Sequence, residues 1–110
     1  MICKILHKSN LEPFLNSGTF KDPSLASEGF IHCSSLEQVV GVADKIYRGQ
    51  SDLLLLILDE ELLASELIYE KASNGQDYPH VYGPLNVEAL VKFYDFPPRD
   101  DGSFELPQIS

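Results

Sequence analysis

Apolar residues from Ile2 to Leu6, partly β-branched, predict a first strand. Ser9 or Asn10 then caps a short helix, with Glu12 and Pro13 in its first turn. Leu11, Phe14 and Leu15 form its apolar stripe, and Gly18 stops it. The stretch Thr19 to Gly29 reads as irregular, punctuated by Pro23 and Gly29. Phe30 to Cys33 predicts a short strand. Ser34 or Ser35 follows as the cap of the longest helix, where Ser35 with Gln38 fits a capping box. Val39, Val42, Ala43 and Ile46 make that helix's stripe, widened by Val40 and Tyr47. Gly41 lies inside it, at a cost of ~1 kcal/mol relative to Ala that predicts a close packing contact there.

Leu53 to Leu58 is an unbroken apolar run, the pattern of a central strand covered on both faces. An acidic turn follows from Asp59 to Leu63, and Leu67 to Lys71 alternates as a strand. Ser73 to Asp77 is a polar turn with Asn74-Gly75 at its tip. Tyr78 to Leu85 reads as a stiff loop with a short extended piece at Val81 and Tyr82. Asn86 caps a single helical turn, Val87 to Leu90, and Val91 to Phe96 is a last strand stopped by Pro97 and Pro98. The order is βα, βα, then β-rich. It predicts an α+β fold, a small mixed β-sheet domain with two to three helices. Residues 1–110 form one domain in this reading, with 97–110 a tail packing on it.

The 110 residues are 44% hydrophobic, with six Phe and five Tyr, enough for a core without staples. The formal net charge of −9 sets the chain against phosphate backbones, so DNA is not an expected partner. A local basic pocket is compatible with that balance. Two cysteines, Cys3 and Cys33, do not make a disulfide framework. Lys4, His7 and Lys8 interrupt the apolar start, so no signal peptide is visible, and no run is long enough to span a bilayer. A cytoplasmic monomer or weak dimer is expected.

Candidate chemistry gathers at three places. In Gly29-Phe30-Ile31-His32-Cys33-Ser34, strand alternation puts Phe30, His32 and Ser34 on one face, ahead of a helix N-terminus. A histidine and a hydroxyl there suit a phosphate or carboxylate; a half-buried histidine bonded to a backbone carbonyl is the structural alternative. Tyr78-Pro79-His80-Val81-Tyr82-Gly83-Pro84-Leu85 packs two aromatics, a histidine and a glycine into a proline-stiffened segment. It reads as a binding loop or as a rigid surface turn. Glu70 on its strand is a general base, a hydroxyl-orienting group or an exposed carboxylate. No metal-ligand spacing is present, so no metal site is assigned, although a metal-dependent hydrolase built on His32 and His80 stays open. Nor is there a nucleophile elbow, Walker loop or Rossmann glycine pattern.

The segment Pro23 to Ser34, together with Gln38-Val39, Ala43, Tyr47-Arg48-Gly49-Gln50, Asp52-Leu53, Tyr69-Glu70, Tyr78 to Leu85, Asp101-Gly102 and Leu106-Pro107, resembles the bacterial and plant family catalogued as domain of unknown function 952. That resemblance implies a compact α/β domain without an assigned activity. More distantly, the pattern around Ile31-His32 and Ser34 is similar to RNA 2′-phosphotransferases of the ADP-ribosyltransferase-like fold. Lys4 stands where those enzymes carry a strand histidine, and Arg48 is the candidate for their arginine. By this likeness a nucleotide cleft is lined by His32, Ser34, Glu70, His80 and Tyr82, with Lys4 against a pyrophosphate and Ser24, Arg48 and Gly83 completing the ligand contacts. His32 or His80 moves the proton, Glu70 orients a hydroxyl, and NAD or ADP-ribose is the implied ligand. A non-catalytic module for a small anion or a protein partner is the alternative.

Overall fold

The computed structural model describes residues 1–109. Strand β1 (Ile2–His7) leads through a 3-10 turn into helix α1 (Leu11–Ser17), then β2 (Thr19–Phe20) and helix α2 (Pro23–Glu28). Strand β3 (Ile31–His32), helix α3 (Leu36–Ile46) and strand β4 (Leu53–Leu58) follow. The remainder is β5 (Glu66–Lys71), β6 (Asp77–Tyr82), β7 (Leu85–Asn86) and β8 (Leu90–Asp95). The class is α+β, with three α-helices and three small sheets among the described residues.

Those sheets correct the expectation of one mixed sheet. Their orders are β1-β4-β8, β2-β7 and β3-β6-β5, and every pairing among the described strands is antiparallel. β5 and β6 are joined directly by a turn, whereas the other pairings bring together strands far apart in the chain.

The apolar run of β4 is the centre of the molecule, and all six of its residues are buried. Leu54, Leu56 and Leu58 share one face with Ile2, Leu6, Ile31, Cys33, Val81 and Leu85. Leu53, Leu55 and Ile57 face the other way, against Cys3, Ile5, Val39, Ala43, Phe96 and Phe104. Each fully buried leucine contributes about 1.5–3 kcal/mol by leaving water. Register is therefore firm: β1 runs from Ile2 opposite Leu58 to His7 opposite Leu53, and a one-residue slip would turn both cores inside out.

Helix α3 starts as expected. The Ser35 hydroxyl accepts from Gln38 N–H, and the Gln38 side chain accepts from Ser35 N–H. Gly18 ends α1 with φ 84°, a left-handed backbone that a side chain resists. The caps expected from side chains at Ser9, Asn10 and Asn86 do not form. Asn86 instead accepts from Ala64 N–H and donates to the Leu62 carbonyl.

Three further expectations are overturned. Residues Thr19 to Gly29 are not irregular, since they hold β2 and α2, the latter capped by the Asp22 carboxylate on Ser24 N–H. The Asp22-Pro23 pair is a cap followed by a proline at the first helical position, not a break. The segment Tyr78 to Leu85 is not a loop but mostly strand β6, the middle strand of its sheet. Pro79 is tolerated there because the N–H it lacks would point toward Cys33, just past the end of β3, while its carbonyl still accepts from Cys33 N–H at 3.0 Å. Finally, Gly41 makes no close packing contact: a Cβ added there would have nothing within 4 Å.

Candidate functional site

The sheet β3-β6-β5 buries one face against the core and turns the other outward. Ile31 lies opposite Val81, and both are fully buried. The neighbouring pair, His32 opposite His80, consequently points outward. Strand pairing thus brings the two histidine segments together. The rings of His32 and His80 stand 5.3 Å apart, edge to face, and Phe30 stacks on His80 at 4.1 Å. Tyr82 tilts against Phe30 at 5.4 Å.

Each histidine is held by a carboxylate. His80 Nδ1 donates to Glu70 Oε1 at 2.8 Å, and His32 Nε2 donates to Glu28 Oε2 at 3.0 Å. An ionised carboxylate only accepts, so His80 Nδ1 and His32 Nε2 are the nitrogens that carry a proton in these bonds. The Tyr82 hydroxyl also donates to Glu70 Oε1. Together Tyr82 and His80 hold the Glu70 carboxyl below its ordinary range, while Glu70 holds the Tyr82 phenol above its own. The His80 side chain is 15% exposed and His32 52%, so His32 is the member open to a ligand.

Beside this cluster lies a cleft of about 530 Å³. Its floor is β1 at Cys3, Lys4 and Ile5; one wall is α3 and the other is the β5–β6 turn from Ala72 to Tyr78. Gln38 ties the walls together by donating to the Asp77 carbonyl at 2.8 Å. His32 and Ser34 line the cleft, whereas His80 and Glu70 stand behind His32. In the floor, Lys4 Nζ lies 3.4 Å from Asp22 Oδ1. Burial pushes the Asp22 carboxyl up, but Lys4 and the bonds from Ser24 outweigh it and leave the group below its ordinary value.

The remaining sequence candidates are placed differently. Ser34 is buried, and its backbone is bridged in both directions to Cys3. The Ser24 hydroxyl donates to the Phe30 carbonyl and so fixes the start of β3. Arg48 donates to the Asp101 carbonyl, in the turn after β8, apart from the cluster. Gly83 is packed against Ser65, where an added Cβ would come within 2.3 Å of the hydroxyl. Burial pushes both thiols up to about 12, so neither Cys3 nor Cys33 is a thiolate nucleophile. Among the described residues, no three His, Cys, Asp or Glu side chains are disposed to hold a metal ion.

Phe30, Glu28 and Asp22 were not singled out by sequence reasoning. The i, i+4 spacing of Glu28 and His32 and the Asp22-Pro23 cap were the available signals. Phe30 was legible only as the alternate neighbour of His32.

Residues 5–93 match the family described as protein of unknown function (DUF952). No curated protein matches the chain significantly. The crystal structure of protein CC0527 from Caulobacter crescentus, a structural-genomics target, is similar with a TM-score of 0.87 and 34% identity, over 96% of this chain and 93% of that one. Its solution NMR structure is similar with a TM-score of 0.80 and 34% identity, over 93% and 89%. The more distant likeness to the ADP-ribosyltransferase-like fold is carried by none of these. Matched over most of its length by the family and by a relative of the same size and fold, the chain belongs to the DUF952 family of proteins of unknown function.

Proposed function

We propose that this protein binds a nucleotide of the NAD or ADP-ribose type in the cleft between α3 and the β5–β6 turn, with His32 as its proton-transfer group. The observation that carries the reading is that His32 both lines the cleft and touches His80, which Glu70 orients. A carboxylate-held imidazole set edge to face behind an exposed one supports an acid–base role, because Glu70 stabilises a proton arriving on the pair. The cleft volume falls in the range of small-molecule sites. Lys45 on its wall has no ion-pair partner among the described residues and suits a phosphate.

A second reading, binding without turnover, is favoured by the cysteines. Burial keeps both thiols protonated, so neither is a nucleophile beside the imidazoles.

Thermal unfolding with and without NAD, ADP-ribose and inorganic phosphate tests both. Ligand at a hundred times its dissociation constant stabilises by ~2.7 kcal/mol. A selective rise with NAD or ADP-ribose, absent in His32→Ala, is the expected result. Binding with no release of nicotinamide from NAD leaves the second reading. No shift with any nucleotide rejects the nucleotide site.

A further inference from the structure

Gly41 is the residue of α3 that the fold itself does not explain. It sits mid-helix, where glycine costs stability relative to alanine. A packing contact would justify it, yet a Cβ there meets nothing within 4 Å. Its backbone is right-handed helical, so no positive φ requires it either. What Gly41 does is line the cleft.

Its neighbours on that wall are informative. Gln38, Gly41 and Lys45 recur at helical spacing and face the cleft, Val39 and Ala43 face the core, and Val42 lies between, packed on the core and edging the cleft. Ile46, also on the wall, is 62% exposed, unusual for an isoleucine with no core role. The wall therefore offers bare backbone at Gly41, apolar surface at Val42 and Ile46, a cation at Lys45 one turn after the glycine and the Glu37 carboxylate one turn before it, so an anionic group is drawn to the Lys45 end. The opposite wall contributes Tyr78, whose hydroxyl accepts from Asn74 Nδ2 at 2.8 Å. The Gln38 bond to the Asp77 carbonyl, about one turn from Gly41, holds the separation of the two walls.

We infer that Gly41 seats the planar heteroaromatic ring of the ligand, which lies against the α3 backbone where any Cβ would lift it away, with the ligand's anionic group toward Lys45. A flat ring matches a wall of bare backbone bordered by apolar side chains. A sugar phosphate that carries no base gains nothing from it. The inference rests on the nucleotide reading of the cleft and identifies the position that would select the ring.

The test is isothermal titration of wild type, Gly41→Ala and Gly41→Leu with ADP-ribose, adenosine and ribose 5-phosphate, alongside thermal unfolding of each protein. Gly41→Ala is expected to melt about 4 °C higher, from helix propensity alone. It should bind ADP-ribose and adenosine at least tenfold more weakly, and Gly41→Leu should abolish their binding. Ribose 5-phosphate should bind all three alike. Equal binding of ADP-ribose by wild type and both variants overturns the inference and leaves the nucleotide reading intact. No binding of any probe by wild type overturns both. A lower melting point for Gly41→Ala would reveal a packing role for the glycine and also overturn the inference.

Discussion

Replacing Asp22 by Asn tests the floor of the cleft. The Lys4 side chain is only 7% exposed, and its one carboxylate partner among the described residues, 3.4 Å away, is 21% exposed. Removing one member of a fully buried pair costs about 3–5 kcal/mol, because the other charge is left without compensation. Asp22 retains some solvent, so about 2–3 kcal/mol is the expected cost of Asp22→Asn. Asparagine caps a helix as well as aspartate does, so α2 survives this change. Asp22→Ala also removes the cap on Ser24 and should cost about 1 kcal/mol more. At roughly 4 °C per kcal/mol for a domain of this size, Asp22→Asn melts about 8–12 °C lower and Asp22→Ala about 12–16 °C lower. Pairing Asp22→Asn with Lys4→Met removes the orphaned ammonium and should recover most of the loss.

The same pair gives a pH signature. Asp22 has a folded pKa below its ordinary value, so its contribution is whole above about pH 4 and is lost as pH falls through the lowered value. The stability gap between wild type and Asp22→Asn should therefore close in acid. Urea unfolding of the four proteins at neutral and acid pH measures all of this. An Asp22→Asn variant within about 0.5 kcal/mol of wild type at neutral pH would refute the argument, because surface substitutions away from such features do no more than that. It would mean that Lys4 finds water in the cleft and needs no counter-charge.

Two further outcomes follow from the neighbouring residues. Gly83→Ala should cost about 1–3 kcal/mol through its clash with Ser65, and Ser65→Gly should relieve most of that in the double variant; unchanged urea unfolding of the single variant would contradict the packing argument. In carboxyl-detected NMR titrations, Glu70 should titrate below the ordinary glutamate range, and Tyr82→Phe should move it back up; an unmoved titration would show that the hydroxyl does not hold the carboxylate in solution.

The cluster and the cleft differ in how they were legible. His32, His80, Glu70 and Tyr82 stood out as residue types too polar or too aromatic for their patterns, and the structure groups them on one sheet face. Their meeting was not readable, because it depends on β3 pairing with β6 across the intervening α3, β4 and β5. Reading Tyr78 to Leu85 as a loop came from weighting its prolines, whereas the donor Pro79 lacks falls where β3 ends and costs the sheet one bond. Arg48 and Gly83 were drawn in by motif proximity and resemblance, and the fold gives them a tail contact and a tight packing contact instead.

Local chemistry determined the parts of this protein that need no distant partner. The Leu53–Leu58 run makes a strand buried on both faces wherever it is placed, Ser35 and Gln38 cap α3 within one turn, and Gly18 stops α1 by its own backbone freedom. Tertiary structure alone decided the rest. Antiparallel pairing divided the strands among three sheets, brought His32 beside His80, and set Asp22 against Lys4 in the cleft floor. It also left Gly41 facing open space rather than the core. The reason is physical: caps and periodicity act within a few residues, whereas register and clefts are fixed by which apolar faces bury each other, and that is settled only when the whole chain packs.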